Sequence, residues 1–272
     1  TDPTRTALVG MDYIGHTFAG LTPISSTNNS WSFDWVAPLA GTGDITVYVA
    51  LNAANGNSAT SGDVIYTSTL SFSENTTPPL LTDIPDTNFE QALIDFGYDT
   101  GTPDGTVPTD NISGVINLNV NSRSITDLTG IEDFAALKNL DCFSNQLDSI
   151  DLGQNTSLEQ IDCSNNPLVH LDITGTTSLL WLYTDFCDLE ELDVTQNILL
   201  EELDIEMNEF ESIDVSQNVN LLEFYCTYNN ITTLDVSHMN SLTYLQCNNN
   251  ELTCLYVANG NNVNMNIIAY NN

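Results

Sequence analysis

The chain has 272 residues, 41% of them hydrophobic, enough apolar material for one or two packed cores. Its 3 Lys and Arg face 37 Asp and Glu, a net charge of -34. That balance excludes nucleic-acid binding by phosphate neutralisation and docking on anionic lipid through a basic patch, and no apolar run approaches the ~18 residues of a membrane-spanning helix. An acidic, Asn- and Thr-rich surface suits a secreted protein in salty surroundings, or one that binds cations.

Residues 1–75 are β-rich. WSFDWVAP sets Trp31, Phe33 and Trp35 on one side of a strand, and DITVYVALNA and DVIYTSTLSFS alternate in the same way. Gly- and Asn-rich turns separate them, so a partial antiparallel β-sandwich is expected. ENTTPPLLTD breaks the pattern, and residues 76–83 read as a linker. Residues 84–117 read as a helix and loop that cap a solenoid beginning at residue 118. In IPDTNFEQALIDFGYD, Thr87 and Glu90 have capping-box spacing. Phe89, Ala92, Leu93 and Phe96 share a face, and Gly97 marks the stop. The loop YDTGTPDGTVPTDN sets Asp99, Asp104 and Asp110 around Gly105. Its spacing departs from a calcium loop and the bidentate Glu is missing, so a turn-rich loop is the first reading and calcium the second.

Residues 118–272 repeat. Leu140, Ile161, Leu182, Leu203, Phe224 and Leu245 come at steps of 21, after a turn at Leu118 that is one residue longer. Each repeat writes L-x-x-L-x-(C/L/I)-x-x-N-x-L and then L-x-x-L-D-V-x-x-N. Two half-coils per repeat predict a mainly β solenoid with two parallel sheets around a narrow apolar core. Asn145, Asn166, Asn208, Asn229 and Asn250 form an inward column, with Cys187 in the same place once. Cys142, Cys163, Cys226 and Cys247 share another inward column. In-register side chains point the same way, so small buried hydrophobes are the first reading and disulfides the second. Cys254 stands at an outward position. The opening TDPTRTALVG does not read as the natural start of a domain, and NIIAYNN stops inside a repeat, so both ends are expected to be incomplete.

With these motifs in place, residues 84–272 resemble the nested 21-residue leucine-rich repeats of secreted bacterial surface proteins, including the IPDTNFEQALIDFGYDTG cap and the LTCLYVANGNN ending. Residues 11–74, with YIGHTF and WSFDWVAP, look like the later part of a reeler-like β-sandwich of the variable-anchor type. The resemblance implies an extracellular or outer cell-surface location, export by the type IX secretion route, and a partner cysteine for Cys254 beyond residue 272. The C-x-x-C-H haem motif of such sandwiches does not occur in this sequence, so no haem is carried over.

Asp151, Asp172, Asp193, Asp214 and Asp235 recur once per repeat. Stacked about 5 Å apart, each neighbouring pair costs roughly 1 kcal/mol in water and about 3 near a protein surface. Hydrogen bonds from backbone N–H groups or flanking Ser and Thr are the first compensation to expect, and calcium the second. On the first sheet the outward triplets are Gln160, Asp162, Ser164; Trp181, Tyr183, Asp185; Glu202, Asp204, Glu206; Glu223, Tyr225, Thr227; and Tyr244, Gln246, Asn248. Trp181, Tyr183, Glu202, Asp204, Glu206, Tyr225 and Tyr244 are the candidate ligand-binding residues, because outward aromatics dominate binding hot spots. His16, His170 and His238 are scattered, with no nucleophile motif around them. The expected function is a non-enzymatic binding or adhesion module for protein or glycan. The alternative is a structural subunit or spacer of a surface assembly, with self-association possible. No cofactor is expected beyond possible calcium.

Overall fold

The computed structural model describes residues 6–8, 14–16, 45–53, 64–73, 79–260 and 264–272. The chain divides into two compact units, Thr1–Thr77 and Pro78–Asn272. In the first, β1 (Thr6–Leu8) pairs antiparallel with β2 (Ile14–His16), and β3 (Ile45–Ala53) with β4 (Val64–Phe72). β-branched residues such as Ile45, Thr46, Val47, Val64 and Ile65 favour these long partners, and the Thr46 and Ser71 hydroxyls bridge them at 3.0 Å. The Trp31, Phe33, Trp35 alternation and the turns on either side of it lie outside the described residues.

The second unit opens with β5 (Leu81–Asp83), which pairs antiparallel with β6 (Thr106–Pro108). The end of the expected linker is therefore a strand of the cap. α1 (Thr87–Asp95) is N-capped by Asp86, whose carboxylate accepts the Asn88 and Phe89 amides. The capping box expected at Thr87 and Glu90 is not formed. Glu90, 1% exposed, instead accepts the backbone amides of Asp104 and Gly105 at 2.6 and 2.8 Å. Helix α1 ends as expected: Gly97 at φ 81 donates to Ile94 O while Tyr98 N reaches Leu93 O, a Schellman closure. Phe96, expected on the buried face, is the exposed C-cap and lies under the Arg123 guanidinium at 5.0 Å. Asp86 also ties the cap to the coils through Thr126 N, Thr126 Oγ1 and Asp127 N. A short helix, α2 (Thr109–Ile112), leads into the solenoid.

On the first side, β7 (Asn117–Asn119), β8 (Asn139–Asp141), β10 (Gln160–Asp162), β12 (Trp181–Tyr183), β13 (Glu202–Asp204), β14 (Glu223–Tyr225), β16 (Tyr244–Gln246) and β18 (Asn266–Ile268) make one 8-stranded parallel sheet. Equivalent residues pair, Leu182 with Leu203 and Leu203 with Phe224, so the sequence period sets the register. On the second side, among the described residues, only β9 (Ser149–Asp151) with β11 (His170–Asp172), and β15 (Thr233–Asp235) with β17 (Cys254–Tyr256), form strand pairs. The expected second sheet is thus broken, because residues 191–193 and 212–214 are not strands. They are not helices either, so the half-coil architecture holds.

The core is the repeat frame itself, with Leu, Ile, Val and five cysteines buried between the two sides. Cys142, Cys163, Cys226 and Cys247 are buried free thiols, as is Cys187, while Cys254 is free and exposed. The asparagine column turns inward. Asn208 Nδ2 donates to the carbonyls of Thr184, Ile205 and Glu206, and its Oδ1 accepts Leu189 N. Asn166, Asn229 and Asn250 repeat the scheme. Where Cys187 replaces Asn, its thiol lies 3.5 Å from Cys163 O. The residue before each column member is left-handed: Ser144, Asn165, Phe186, Met207, Tyr228 and Asn249 have φ between 50 and 57.

Candidate functional site

The outward face of β12, β13 and β14 collects the aromatic and acidic residues expected from the sequence. Register places Trp181 beside Glu202, Tyr183 beside Asp204, Glu202 beside Glu223 and Asp204 beside Tyr225. Side chains alternate across a strand, so the buried Leu182, Leu203 and Phe224 hold these residues outward. All of them are half-buried, because neighbours only one strand away cover part of each. Tyr183 donates its hydroxyl to Glu202 Oε2 at 3.0 Å, and Tyr225 donates to Glu223. Tyr244 donates to Gln246 Oε1 at 3.0 Å, and its ring lies 5.2 Å from that of Tyr225. Each of these three phenol hydroxyls is thus hydrogen-bonded to a side chain of the same face.

The third residue of several outward triplets behaves differently. Ser164, Thr227 and Asn248 are 2% exposed. The chain turns over the strand end there, and Thr227 Oγ1 donates to Glu206 Oε1 at 2.6 Å. These three, expected to point outward, are buried instead.

Electrostatically the face is uncompensated. Among the described residues the Lys and Arg ion pairs are Arg123 with Asp95 and Lys138 with Glu159, neither on β12–β14. Burial pushes the Asp204 carboxyl up to about 7 despite the amide of Glu206, and the carboxylates of Asp185, Glu206 and Glu202 add to the rise. Asp162 is raised by burial too, with Asp141 and Asp185 nearby. Tyr183 and Tyr225 are pushed up by burial and by the carboxylates they bond.

The aspartate column is local in its bonding. Asp151, Asp172, Asp193, Asp214 and Asp235 each accept, through Oδ1, the backbone amide two residues on: Gly153, Thr174, Thr195, Ser216 and Ser237. Thr174 and Thr195 add their hydroxyls at 2.7 and 2.6 Å. These bonds hold Asp172, Asp193, Asp214 and Asp235 below the usual carboxylate range. In the cap loop, Asp104 turns back on Thr106, accepting its amide and hydroxyl. Asp99 is half-buried, Asp110 is exposed, and the three do not converge. Among the described residues no group of three or more His, Cys, Asp or Glu is placed to hold a metal ion. His170 is exposed on β11, and His238 Nε2 lies 3.0 Å from Val215 O. No described helix is long and apolar enough to cross a membrane.

Two features escaped the sequence. Glu90 organises the cap loop from a helix, and no spacing announces that pairing. Phe186, Met207 and Tyr228 hold left-handed backbone and point outward. Their signal was present as bulky residues in a column that elsewhere carries Ser or Asn.

No protein-family model and no curated protein matches the chain. Among solved structures, the functional domain of InlJ from Listeria monocytogenes, described as including a cysteine ladder, is similar at 22% identity over 71% of this chain and 62% of its own, with a TM-score of 0.31. A leucine-rich-repeat protein of Leptospira interrogans is similar at 22% identity over 61% of this chain and 51% of its own, with a TM-score of 0.49. An internalin C2 of Listeria monocytogenes is similar at 18% identity over 65% of this chain and 92% of its own, with a TM-score of 0.44. The chain thus spans 62% and 51% of the first two. The parallel coils, with their L-x-x-L-x-φ-x-x-N frame and inward asparagine ladder, make the second unit a leucine-rich-repeat solenoid.

Proposed function

We propose that this chain is a non-enzymatic binding or adhesion module of an extracellular or outer cell-surface protein, and that it takes a protein partner with a basic surface on the outward face of β12–β14. The observation that carries this reading is the stack of Trp181, Tyr183, Glu202, Asp204 and Tyr225 on consecutive strands, with Glu206 just past the end of β13 and acids that no described Lys or Arg of the face neutralises. Aromatic anchors supply contact area at small entropic cost, and the acids select and steer the partner. A partner Lys or Arg beside Asp204 lowers its pKa from about 7, so binding strengthens as pH rises through that value.

In the same reading, residues 1–75 are a reeler-like sandwich, residues 84–117 cap the repeats of 118–272, and export takes the type IX route. Glycan as ligand is the competing choice for the same face, since its acids and half-buried aromatics suit sugar stacking as well. A structural role as a surface spacer is the second reading, favoured by the half-burial of every aromatic on the face.

The test compares wild type with W181A/Y183A on arrays of surface glycans and on immobilised cell-surface protein extracts. Loss of protein-extract binding with an intact fold supports the proposal. Loss on the glycan array alone selects glycan. Unchanged binding on both removes this face.

A further inference from the structure

Three bulky side chains sit where backbone geometry least favours them. In the left-handed column, Ser144, Asn165 and Asn249 are residues that tolerate positive φ, whereas Phe186, Met207 and Tyr228 adopt it at 54, 50 and 53. The core does not use them, since they are 55%, 37% and 53% exposed. Fold stability alone favours Asn at all three. Their amides bond in register to the next coil, Phe186 N to Glu206 O at 3.0 Å and Met207 N to Thr227 O at 2.9 Å. The three side chains therefore stack as an exposed apolar ridge along the turn that leaves the first sheet.

An open groove of about 930 Å3 lies beside the ridge, in the same coils. Asp188, Glu209 and Asn230, each two residues after a ridge residue, form its near wall. Glu190, Glu191, Glu211, Ser212 and Asp214 supply its other polar lining, and Leu192, Ile213 and the exposed Val169 its apolar floor and rim. The groove opens where the second side lacks strands, at residues 191–193 and 212–214. Among the described residues, no Lys or Arg lines it.

We propose that ridge and groove together dock an extended protein segment in which apolar side chains alternate with Lys or Arg. The apolar side chains cover the ridge and the groove floor, and the cations meet the carboxylates of the walls. Charge complementarity decides the occupant. A second copy of this chain, at a net charge of -34, is repelled, and an uncharged peptide leaves the walls unmatched. From Phe186 to Tyr228 is two coil steps, about 10 Å at ~4.8 Å per step, the reach of about three extended residues. Alternation across a strand then turns successive side chains to ridge and groove. This surface is separate from the outward face of β12–β14 and does not depend on it.

The experiment measures binding of three labelled synthetic peptides at physiological salt: alternating Lys and Leu, alternating Lys and Ser of equal charge, and alternating Glu and Leu. The Lys/Leu peptide is expected to bind at least tenfold tighter than Lys/Ser, and Glu/Leu not at all. F186N/M207N/Y228N should erase the tenfold margin while raising Tm, because Asn relaxes the left-handed backbone, so the loss cannot be read as unfolding. W181A/Y183A should keep the margin. Equal binding of the two cationic peptides means plain charge attraction and overturns the proposal. So does a margin that survives in the ridge variant, or one lost only in W181A/Y183A, which places the peptide on the first sheet.

Discussion

On the first side of the solenoid eight strands stack without a gap, whereas on the second side, among the described residues, only β9 with β11 and β15 with β17 pair. Both sides grow from the same coils and the same apolar frame, so apolar spacing alone does not decide sheet continuity. Two things differ. The first asparagine ladder uses its whole amide, donating to three carbonyls and accepting an amide from the preceding coil, as at Asn208. A second ladder, Asn155, Asn197 and Asn218, donates to carbonyls across the coils but leaves each Oδ1 buried without a protein partner. The second side also crowds Glu190, Glu191, Glu209 and Glu211 around one groove in adjacent coils. Stacking at ~4.8 Å tolerates an orphan oxygen, since Asn155 and Asn248 follow strands that still pair, whereas the crowded carboxylates coincide with the gap.

The largest test of this comparison is at the ladders. Asn208→Ala should lower unfolding free energy by roughly 3 kcal/mol, since it strands three carbonyls and an amide, while Asn218→Ala should cost about 1–2, because it also removes an orphan oxygen. Urea titrations of both variants measure this, and equal losses would break the comparison. Next comes charge on the second side. E190Q/E191Q/E209Q/E211Q should raise stability by roughly 1–2 kcal/mol at low salt, and the gain should shrink in 1 M salt. A salt-independent gain would point to packing instead.

On the first side, Asp204 makes a similar prediction with a pH signature. Its folded pKa of about 7 lies above the unfolded value, so the folded state binds its proton more tightly. Its contribution is favourable at low pH and declines as pH rises toward 7, beyond which the full penalty persists. Asp204→Asn, which keeps an acceptor for Glu206 N, should therefore add roughly 1–2 kcal/mol at pH 8 and almost nothing at pH 4. Thermal melts across that range check it. The smallest effect belongs to the aspartate column. Asp193→Ala should cost about 0.5–1 kcal/mol at pH 7, through the lost amide and hydroxyl bonds of Thr195. Asp193 is held below its usual range by Thr195, so this contribution is present above the unfolded pKa and fades as pH falls through the lower folded one. Chelator should leave the difference unchanged, and a difference that disappears in chelator would assign the column to calcium.

The solenoid was legible because its signal is periodic. Leu182, Leu203 and Phe224 stand at steps of 21, and parallel pairing of equivalent residues buries them all. The outward placement of Trp181, Tyr183 and Asp204 came from the same alternation. Their half-burial did not, because cover comes from side chains a whole repeat away. Ser164, Thr227 and Asn248 are buried rather than outward because alternation ends where the strand ends. The cap showed the limit of local motifs. Thr87 and Glu90 have the right spacing, yet Asp86 takes the helix end while Glu90 serves amides 14 and 15 residues on.

Side-chain type and spacing were enough to set the period, the inward columns of Leu, Cys and Asn, the acidic character and the aromatic content of the first-sheet face. Any parallel coil must respect those. Stacking of the coils settled the rest: where the second side breaks, which asparagine oxygens go unpartnered, how far Asp204 is pushed toward neutrality, and that Phe186, Met207 and Tyr228 stand out as a ridge beside an acidic groove. Each of those depends on atoms brought together from different coils, and their balance of burial, charge and backbone strain exists only once the coils are stacked.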